Sequence, residues 1–376
     1  MGVLDGIRII EIAGLGPAPF CGMLLADMGA DVILVERADP AGPFDWGKNA
    51  IVNRGKRSLT LNLKDPRAVE AVLALIRDAD GLIEGMRPGV MERLGLGPDV
   101  CLKANPRLVY GRMTGWGQEG PLSDTAAHDI NYIALSGALW FSGEAGTVPT
   151  APPTLVGDLG GGALYLAMGM LAAILHASKT GVGQVVDAAI VDGSANLMNL
   201  LLSAHAAGQQ PFDRGTGFLD GPHWYGSYRC ADGNYISIGA LEPQFNALLF
   251  SKLGLADDPE FQYPYQPVHW PKLRQRLATL FSEQPRQHWL TLLEGSDACF
   301  APVLNPEQAM QHPHMAARQI YSKHNQVLQA APAPRFSATP ANAINDVPKR
   351  GQHSRAILQS AGLSDDAITY LMQGIA

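Results

Sequence analysis

The sequence predicts an α/β protein, with a parallel, doubly wound sheet in a long first unit and a smaller α+β unit after it. Three observations predict it. Residues 7–12, a glycine turn at 13–19, a helix over 20–28 and a second apolar run at 31–35 give strand, turn, helix, strand, the seed of such a sheet. Short apolar runs then alternate with amphipathic stretches to about Asp124. From Gly226 the pattern changes to a hairpin followed by helices.

Taken in order, residues 58–63 read as a strand, 66–78 as an amphipathic helix, 81–84 as a short strand, 99–104 as a helical turn and 107–114 as another strand. After the Pro152-Pro153 break, 163–175 has the length and residue types of a buried helix and is too short for a bilayer span. A strand at 184–190 and a helix at 191–207 follow, and 208–225, rich in glycine and proline, reads as a linker. The second unit opens with a hairpin over 228–238 about Asp232-Gly233. Helices at 242–253, 271–282 and 286–294 follow, and the unit closes around Val303. From about Gln311 the chain is irregular, with a last helix at 365–373. The division expected is a large domain at 1–207 joined by 325–376, a linker at 208–225, a small domain at 226–310 and a linker at 311–324.

A chain of 376 residues that is 47% hydrophobic and 17% charged has enough apolar surface for a substantial core in each unit. Its net charge of -7 argues against general nucleic-acid binding, though not against an anionic small ligand held by a local cluster. Cys21, Cys101, Cys230 and Cys299 are widely spaced, so no metal is expected and a reducing compartment suits the chain. The first residues lack a basic region ahead of a long apolar core, and Gln373-Gly374-Ile375-Ala376 matches no peroxisomal address of the Ser-Lys-Leu type. A cytoplasmic protein with no membrane attachment is the expectation.

One carboxylate stands among glycines where a helix begins, in Leu155-Val156-Gly157-Asp158-Leu159-Gly160-Gly161-Gly162. Unpaired N–H groups and the positive end of the helix dipole favour an anion there. Asp158 is either an ordinary N-cap or, with glycines giving little side-chain cover, a group beside a ligand. The nearest chemically capable residues upstream are His128 and Asp129. Basic residues gather at Arg54, Lys56 and Arg57, while Arg37 and Arg87 follow predicted strands, where open α/β sheets bind ligands. In an acidic chain they suit a multiply phosphorylated ligand; solvated loops are the alternative. The Gly14-x-Gly16 turn is weak evidence for NAD, lacking a third glycine and carrying prolines where the helix should open.

Taken together, the motifs resemble the family III CoA-transferases, and within them the α-methylacyl-CoA racemase branch. They include Leu4-Asp5-Gly6-Ile7-Arg8, Leu25-Ala26-Asp27-Met28-Gly29-Ala30-Asp31-Val32-Ile33, Asn53-Arg54-Gly55-Lys56-Arg57-Ser58 and Arg87-Pro88-Gly89-Val90-Met91-Glu92-Arg93. Further along come His128-Asp129-Ile130-Asn131-Tyr132, Gly157-Asp158 and Gly239-Ala240-Leu241-Glu242-Pro243. One departure is Ala127, where the racemases commonly carry glycine. The resemblance implies a Rossmann-like large domain to which the C-terminal tail returns, and an interlocked homodimer. It implies His128 and Asp158 as the two acid/base residues, Glu242 as the carboxylate orienting the histidine, and the N–H of Asp129 as donor to an enolate oxygen. Arg37, Arg54, Lys56, Arg57, Arg87 and Arg93 would contact CoA. The implied activity is interconversion of (2R)- and (2S)-2-methylacyl-CoA thioesters, serving fatty-acid oxidation, with CoA part of the substrate and no cofactor. The alternative is a CoA-transferase using Asp158 as nucleophile. The acyl group itself is not readable from the sequence.

Overall fold

Strands β1 (Arg8–Ile12), β2 (Asp31–Glu36), β3 (Arg57–Thr60), β4 (Gly81–Glu84), β5 (Val109–Thr114) and β6 (Gln184–Ala189) pair in parallel in the computed structural model, in the spatial order β3-β2-β1-β4-β5-β6. The order reverses between β1 and β4, which opens a crevice beyond their C-terminal ends. Residues 2–39, 45–341 and 344–373 are described; the C-terminal address reading at 374–376 falls outside them.

Neighbouring residues of a strand face opposite sides of the sheet, so Ile9 and Ile10 enter different cores. On one face Ile10, Ile33, Leu59 and Leu82 pack with α2 (Pro66–Ile76) and with Met91 and Cys101, from the short helices α3 (Val90–Arg93) and α4 (Pro98–Ala104). On the other, Ile9, Val32, Ile83 and Val109 pack with α1 (Pro17–Asp27), with Tyr132 of α5 (Asp129–Leu135) and with Leu166 and Met170 of α6 (Leu164–Thr180). Burial on both faces is why these strands read as unbroken apolar runs. The prolines that made the first turn look unlike a helix start instead open it. Pro17 sits at the first position of α1, where its fixed φ is helical and a missing N–H costs nothing, and Gly16 takes the positive φ of 68° just before it.

The central helix differs from the expectation in length. A wide π-helical segment, Leu155–Ala163, runs into α6, giving a continuous helical stretch Leu155–Thr180 of 26 residues. By length and composition alone this stretch could cross a membrane, contrary to the expectation that the apolar run is too short. One side of α6, including Ala167, Ala173 and Ala177, is buried on the sheet, while Leu164, Met168 and Leu175 stay exposed.

The helix expected over 191–207 is two, α7 (Ile190–Leu197) and α8 (Asn199–Ala206), in a stretch where Asn196 and Asn199, weak helix formers, flank the junction. The break coincides with a boundary between two compact units. Unit 1 is Met1–Leu139, Ala151–Leu197 and Ser322–Ala376; unit 2 is Trp140–Thr150 and Met198–Tyr321. The stretches expected as linkers at 208–225 and 311–324 lie mostly within unit 2. Arg214 donates to the carbonyls of Ser142, Glu144 and Thr147, fastening residues 140–150 to this unit, and Asp220 accepts from the N–H groups of Gly215 and Gly217. Glycine here marks tight, hydrogen-bonded turns.

In unit 2 the expected hairpin is present as β7 (Tyr225–Arg229) and β8 (Tyr235–Gly239), with β9 (Phe300–Val303) antiparallel to β8. Around them pack α9 (Pro243–Lys252), α10 (Trp270–Ser282) and α11 (Arg286–Leu293), over a core that includes Trp224, Ile236, Leu249, Phe281 and Trp289. After α12 (Pro306–Gln311) and α13 (Pro313–Ala317), β10 (Tyr321–His324) and β11 (Val327–Ala330) form a two-stranded sheet. The tail then returns to unit 1 as α14 (Ser354–Ser360) and α15 (Asp365–Gln373), whose Ile357, Leu358, Ile368 and Leu371 complete the first core. There the backbone of β3 finds partners: Ser58 O accepts from His353 N–H at 3.0 Å, and Thr60 N–H donates to Ser354 Oγ at 3.1 Å.

Candidate active site

A cavity of about 590 Å³ lies within unit 1, beyond the C-terminal ends of the strands. Leu15, Gly16 and Pro17 reach it from the turn after β1, Met86 and Arg87 from the loop after β4, and Trp116 from the segment after β5. His128, Tyr132 and Asp158 complete its chemically capable lining. It therefore stands where the reversal of strand order leaves the sheet open.

His128 caps α5 in extended conformation, φ −137° and ψ 173°, and its side chain is exposed. Its N–H donates to Asn131 Oδ1 at 3.1 Å, and the Tyr132 hydroxyl donates to the preceding carbonyl, Ala127 O, at 2.6 Å. The first turn of α5 thus grips the backbone on both sides of the imidazole. Tyr132 stands edge-on to Trp116 with ring centroids 4.7 Å apart. A Cβ at Gly115 would collide with the Tyr132 ring, so that ring needs glycine beneath it.

Asp129 begins α5, so its N–H is one of the first-turn donors without a partner inside the helix. Its carboxylate is buried, and Oδ1 accepts the N–H of Asp158 at 2.7 Å. A Cβ on the intervening Gly157 would strike that same oxygen. Asp158 lies in the first turn of the π-helical segment, partly buried. Burial, the nearby Asp129 carboxylate and an opposing pull from His128 leave its carboxyl pushed up to about 6. An ordinary N-cap would accept a backbone hydrogen bond; here the Asp158 side chain lines the cavity and its own N–H is the donor.

The glycines after it serve packing, not the ligand approach expected of them. Side chains at Gly161 or Gly162 would run into Ser194 and Ile190 of α7, and one at Gly193 would strike the Gly161 carbonyl. Wide turn and helix touch backbone to backbone.

Of the basic residues expected at a ligand, Arg87 is exposed and lines the cavity. Arg37 and Arg93 are exposed after β2 and on α3. Arg57 is partly exposed and pairs with Asp31 at 2.7 Å. Arg54 and Lys56 require correction. Arg54 is buried, bonded through two nitrogens to Asp27 at 2.6 and 3.0 Å and to Ala330 O at 2.8 Å. Lys56 is buried against Glu11 at 2.7 Å and Pro19 O at 3.0 Å. Their charges are neutralised inside the unit, because the carboxylates beneath them come from β1 and α1, far away in sequence.

Other parts of the site carry no sequence signal strong enough to find. The buried Glu84 accepts the Met86 N–H at 2.7 Å, and Arg112 bridges Glu84 at 3.0 Å to Glu92 at 2.9 Å, bracing the loop that presents Arg87. Trp46 also lines the cavity, half exposed. Glu242 is exposed at the N-cap of α9 in unit 2 and is not among the cavity residues of unit 1. Among the described residues, no group of three or more His, Cys, Asp or Glu is placed to hold a metal ion.

Comparison with known proteins agrees with this architecture. The chain is 40% identical to an alpha-methylacyl-CoA racemase of Mus musculus over 98% of its own length and 96% of that protein's, and 40% identical to the Homo sapiens racemase over the same shares. It is 29% identical to a succinyl-CoA–D-citramalate CoA-transferase of Chloroflexus aurantiacus, over 98% of this chain and 96% of that one. The crystal structure of a CAIB/BAIF family protein from Brucella suis superimposes with a TM-score of 0.81 at 25% identity, covering 96% of this chain and 99% of that one. With the model of CoA-transferase family III matching residues 4–354, the chain belongs to that family.

Proposed function

We propose that the protein is an α-methylacyl-CoA racemase, interconverting (2R)- and (2S)-2-methylacyl-CoA thioesters by two-base proton transfer. The observation that carries the reading is the presence of His128 and Asp158 on the wall of one cavity, with a carboxyl tuned to about 6. The likeness to the two racemases over nearly the whole chain supports it. Inversion at the carbon next to the thioester needs a proton removed from one face and one delivered to the other. In this reading one base takes the α-proton and the electron pair moves to the thioester oxygen. The Asp129 N–H stabilises the resulting enolate, and the conjugate acid of the other base returns a proton to the opposite face. His128 is assigned to the S face and Asp158 to the R face, and in the proposed homodimer Glu242 of the partner subunit orients the histidine.

The apolar lining from Leu15, Met86 and Trp116 suits an acyl group, and exposed Arg87 suits a CoA phosphate. Arg37, Arg57 and Arg93 are proposed as further CoA contacts. We also propose a cytoplasmic homodimer that needs no cofactor, serves fatty-acid breakdown and binds neither nucleic acid nor membrane. Exposed Leu164, Met168 and Leu175 on α6 support the dimer, since so apolar a face favours a partner.

Proton NMR with (2S)-2-methylacyl-CoA in D₂O tests the reading. Loss of the α-proton signal with appearance of the 2R epimer is the expected result. No exchange, together with CoA transfer to an added carboxylic acid, would instead make Asp158 the nucleophile of a transferase.

A further inference from the structure

We propose that the side chain of Asp129, separately from its backbone N–H, is a positioning group that fixes Asp158 relative to His128 and keeps a negative charge beside it. The inference rests on the two-base reading and adds a residue role to it. Asp129 is the first residue of α5 and directly follows His128, so a tie from its side chain to Asp158 links the two proposed bases through a few rigid bonds. That tie is the 2.7 Å bond from Asp158 N–H to Asp129 Oδ1. The carboxylate is 9% exposed, so neither its bond nor its field is much screened by solvent. The contact depends on glycine at 157, since a side chain there would strike Asp129 Oδ1.

The charge matters as much as the bond. Two carboxylates in proximity resist joint ionisation, and Asp129 acts on Asp158 in that sense while His128 acts oppositely. Tyr132, also on α5, senses Asp158 too: burial, with Asp158 beside it, holds its hydroxyl above the ordinary range. Arg87, from the loop after β4, shares the cavity with Asp158 and acts on Tyr132 as well, while several charged groups on the other packed elements are held by partners of their own. Asp187 of β6 accepts the N–H of Gln118, Arg112 of β5 is held by Glu84 and Glu92, and Asp27 of α1 is held by Arg54. His176 and Lys179 lie at the far end of α6. Burial does most to raise the Asp158 carboxyl, and Asp129 is the charged neighbour that raises it further, toward the near-neutral range that suits a base.

Two variants separate the bond from the charge. In Asp129→Asn the amide oxygen still accepts the Asp158 N–H, but the negative charge is gone. Its acidic limb of α-proton exchange should move down by about half a pH unit or more, with turnover held within about tenfold. In Asp129→Ala both are lost, and kcat should fall more than about thirtyfold in both directions with KM little changed. An unmoved acidic limb in Asp129→Asn would overturn the proposal. Infrared difference titration gives a readout independent of turnover: the carboxyl band that vanishes in Asp158→Asn should titrate at lower pH in Asp129→Asn. Wild-type protein without exchange would sink the racemase reading alone. An unshifted band in Asp129→Asn would sink the positioning role alone.

Discussion

The Lys56 ammonium lies 2.7 Å from Glu11 Oε2, and neither side chain has any exposed surface. Burial pushes the Glu11 carboxyl up and the Lys56 amine down, and mutual attraction is what offsets it. Removing one partner leaves a buried charge alone. Lys56→Met should therefore lower stability by about 3–5 kcal/mol, whereas Lys56→Met with Glu11→Leu should recover most of it. Urea unfolding of the three proteins checks this, and equal stability of the single variant and the wild type would contradict it.

Arg54 and Arg87 were equivalent as sequence and are opposites as structure. Arg87→Ala should raise the dissociation constant for CoA roughly tenfold, an effect that weakens with salt, and leave the melting temperature unchanged. Arg54→Ala should lower the melting temperature, because it strands Asp27 in the interior. Calorimetric titration alongside thermal unfolding separates the two; an exchange of those roles would reverse the assignment.

Asp158 makes a stability prediction whose sign runs against habit. Its carboxyl binds a proton more tightly folded, at about 6, than unfolded, near the ordinary value of 3.8. Ionising it therefore costs stability at neutral pH, and the cost disappears as pH falls through about 6 toward 4. Asp158→Asn should stabilise the protein by roughly 1–2 kcal/mol near neutrality, discounted for partial solvent screening, and by nothing near pH ~4. The same substitution should abolish racemisation. Exchange initiated by Asp158 in the wild type should also decline as pH drops through about 6, since only the carboxylate accepts a proton.

Two glycines give a paired test. Gly157→Ala drives a methyl group into Asp129 Oδ1 and should cost about 1–3 kcal/mol, with a large fall in turnover. Gly14→Ala, in the turn that first resembled a nucleotide fingerprint, meets nothing closer than 4.0 Å and should be tolerated in both respects.

The strands and helices of the large unit were legible because their burial writes itself into apolar runs. Ile9 through Ile12 could hardly be anything else. Strand order could not be read, since β3 and β4 are only four residues each and only packing decides which of them neighbours β1. The helix that His128 caps is seven residues long and follows an irregular stretch, too short for a periodic signal to stand out. The glycines around Asp158 mark it out in the sequence, although Gly161 and Gly162 give their space to α7. Partners far apart in sequence, such as Arg54 with Asp27 and Arg112 with Glu84 and Glu92, leave no local trace at all.

The seam between β3 and the tail has a consequence for synthesis. The outer backbone of β3 is satisfied by His353 and Ser354, some 295 residues downstream of Ser58. While the ribosome is still making unit 2, the sheet it began with has a raw border able to capture another nascent chain. A premature stop before residue 353 should thus yield aggregates rather than a slightly shortened enzyme, and a separately supplied tail peptide should rescue solubility. The earliest part of the molecule to be made is among the last to be finished.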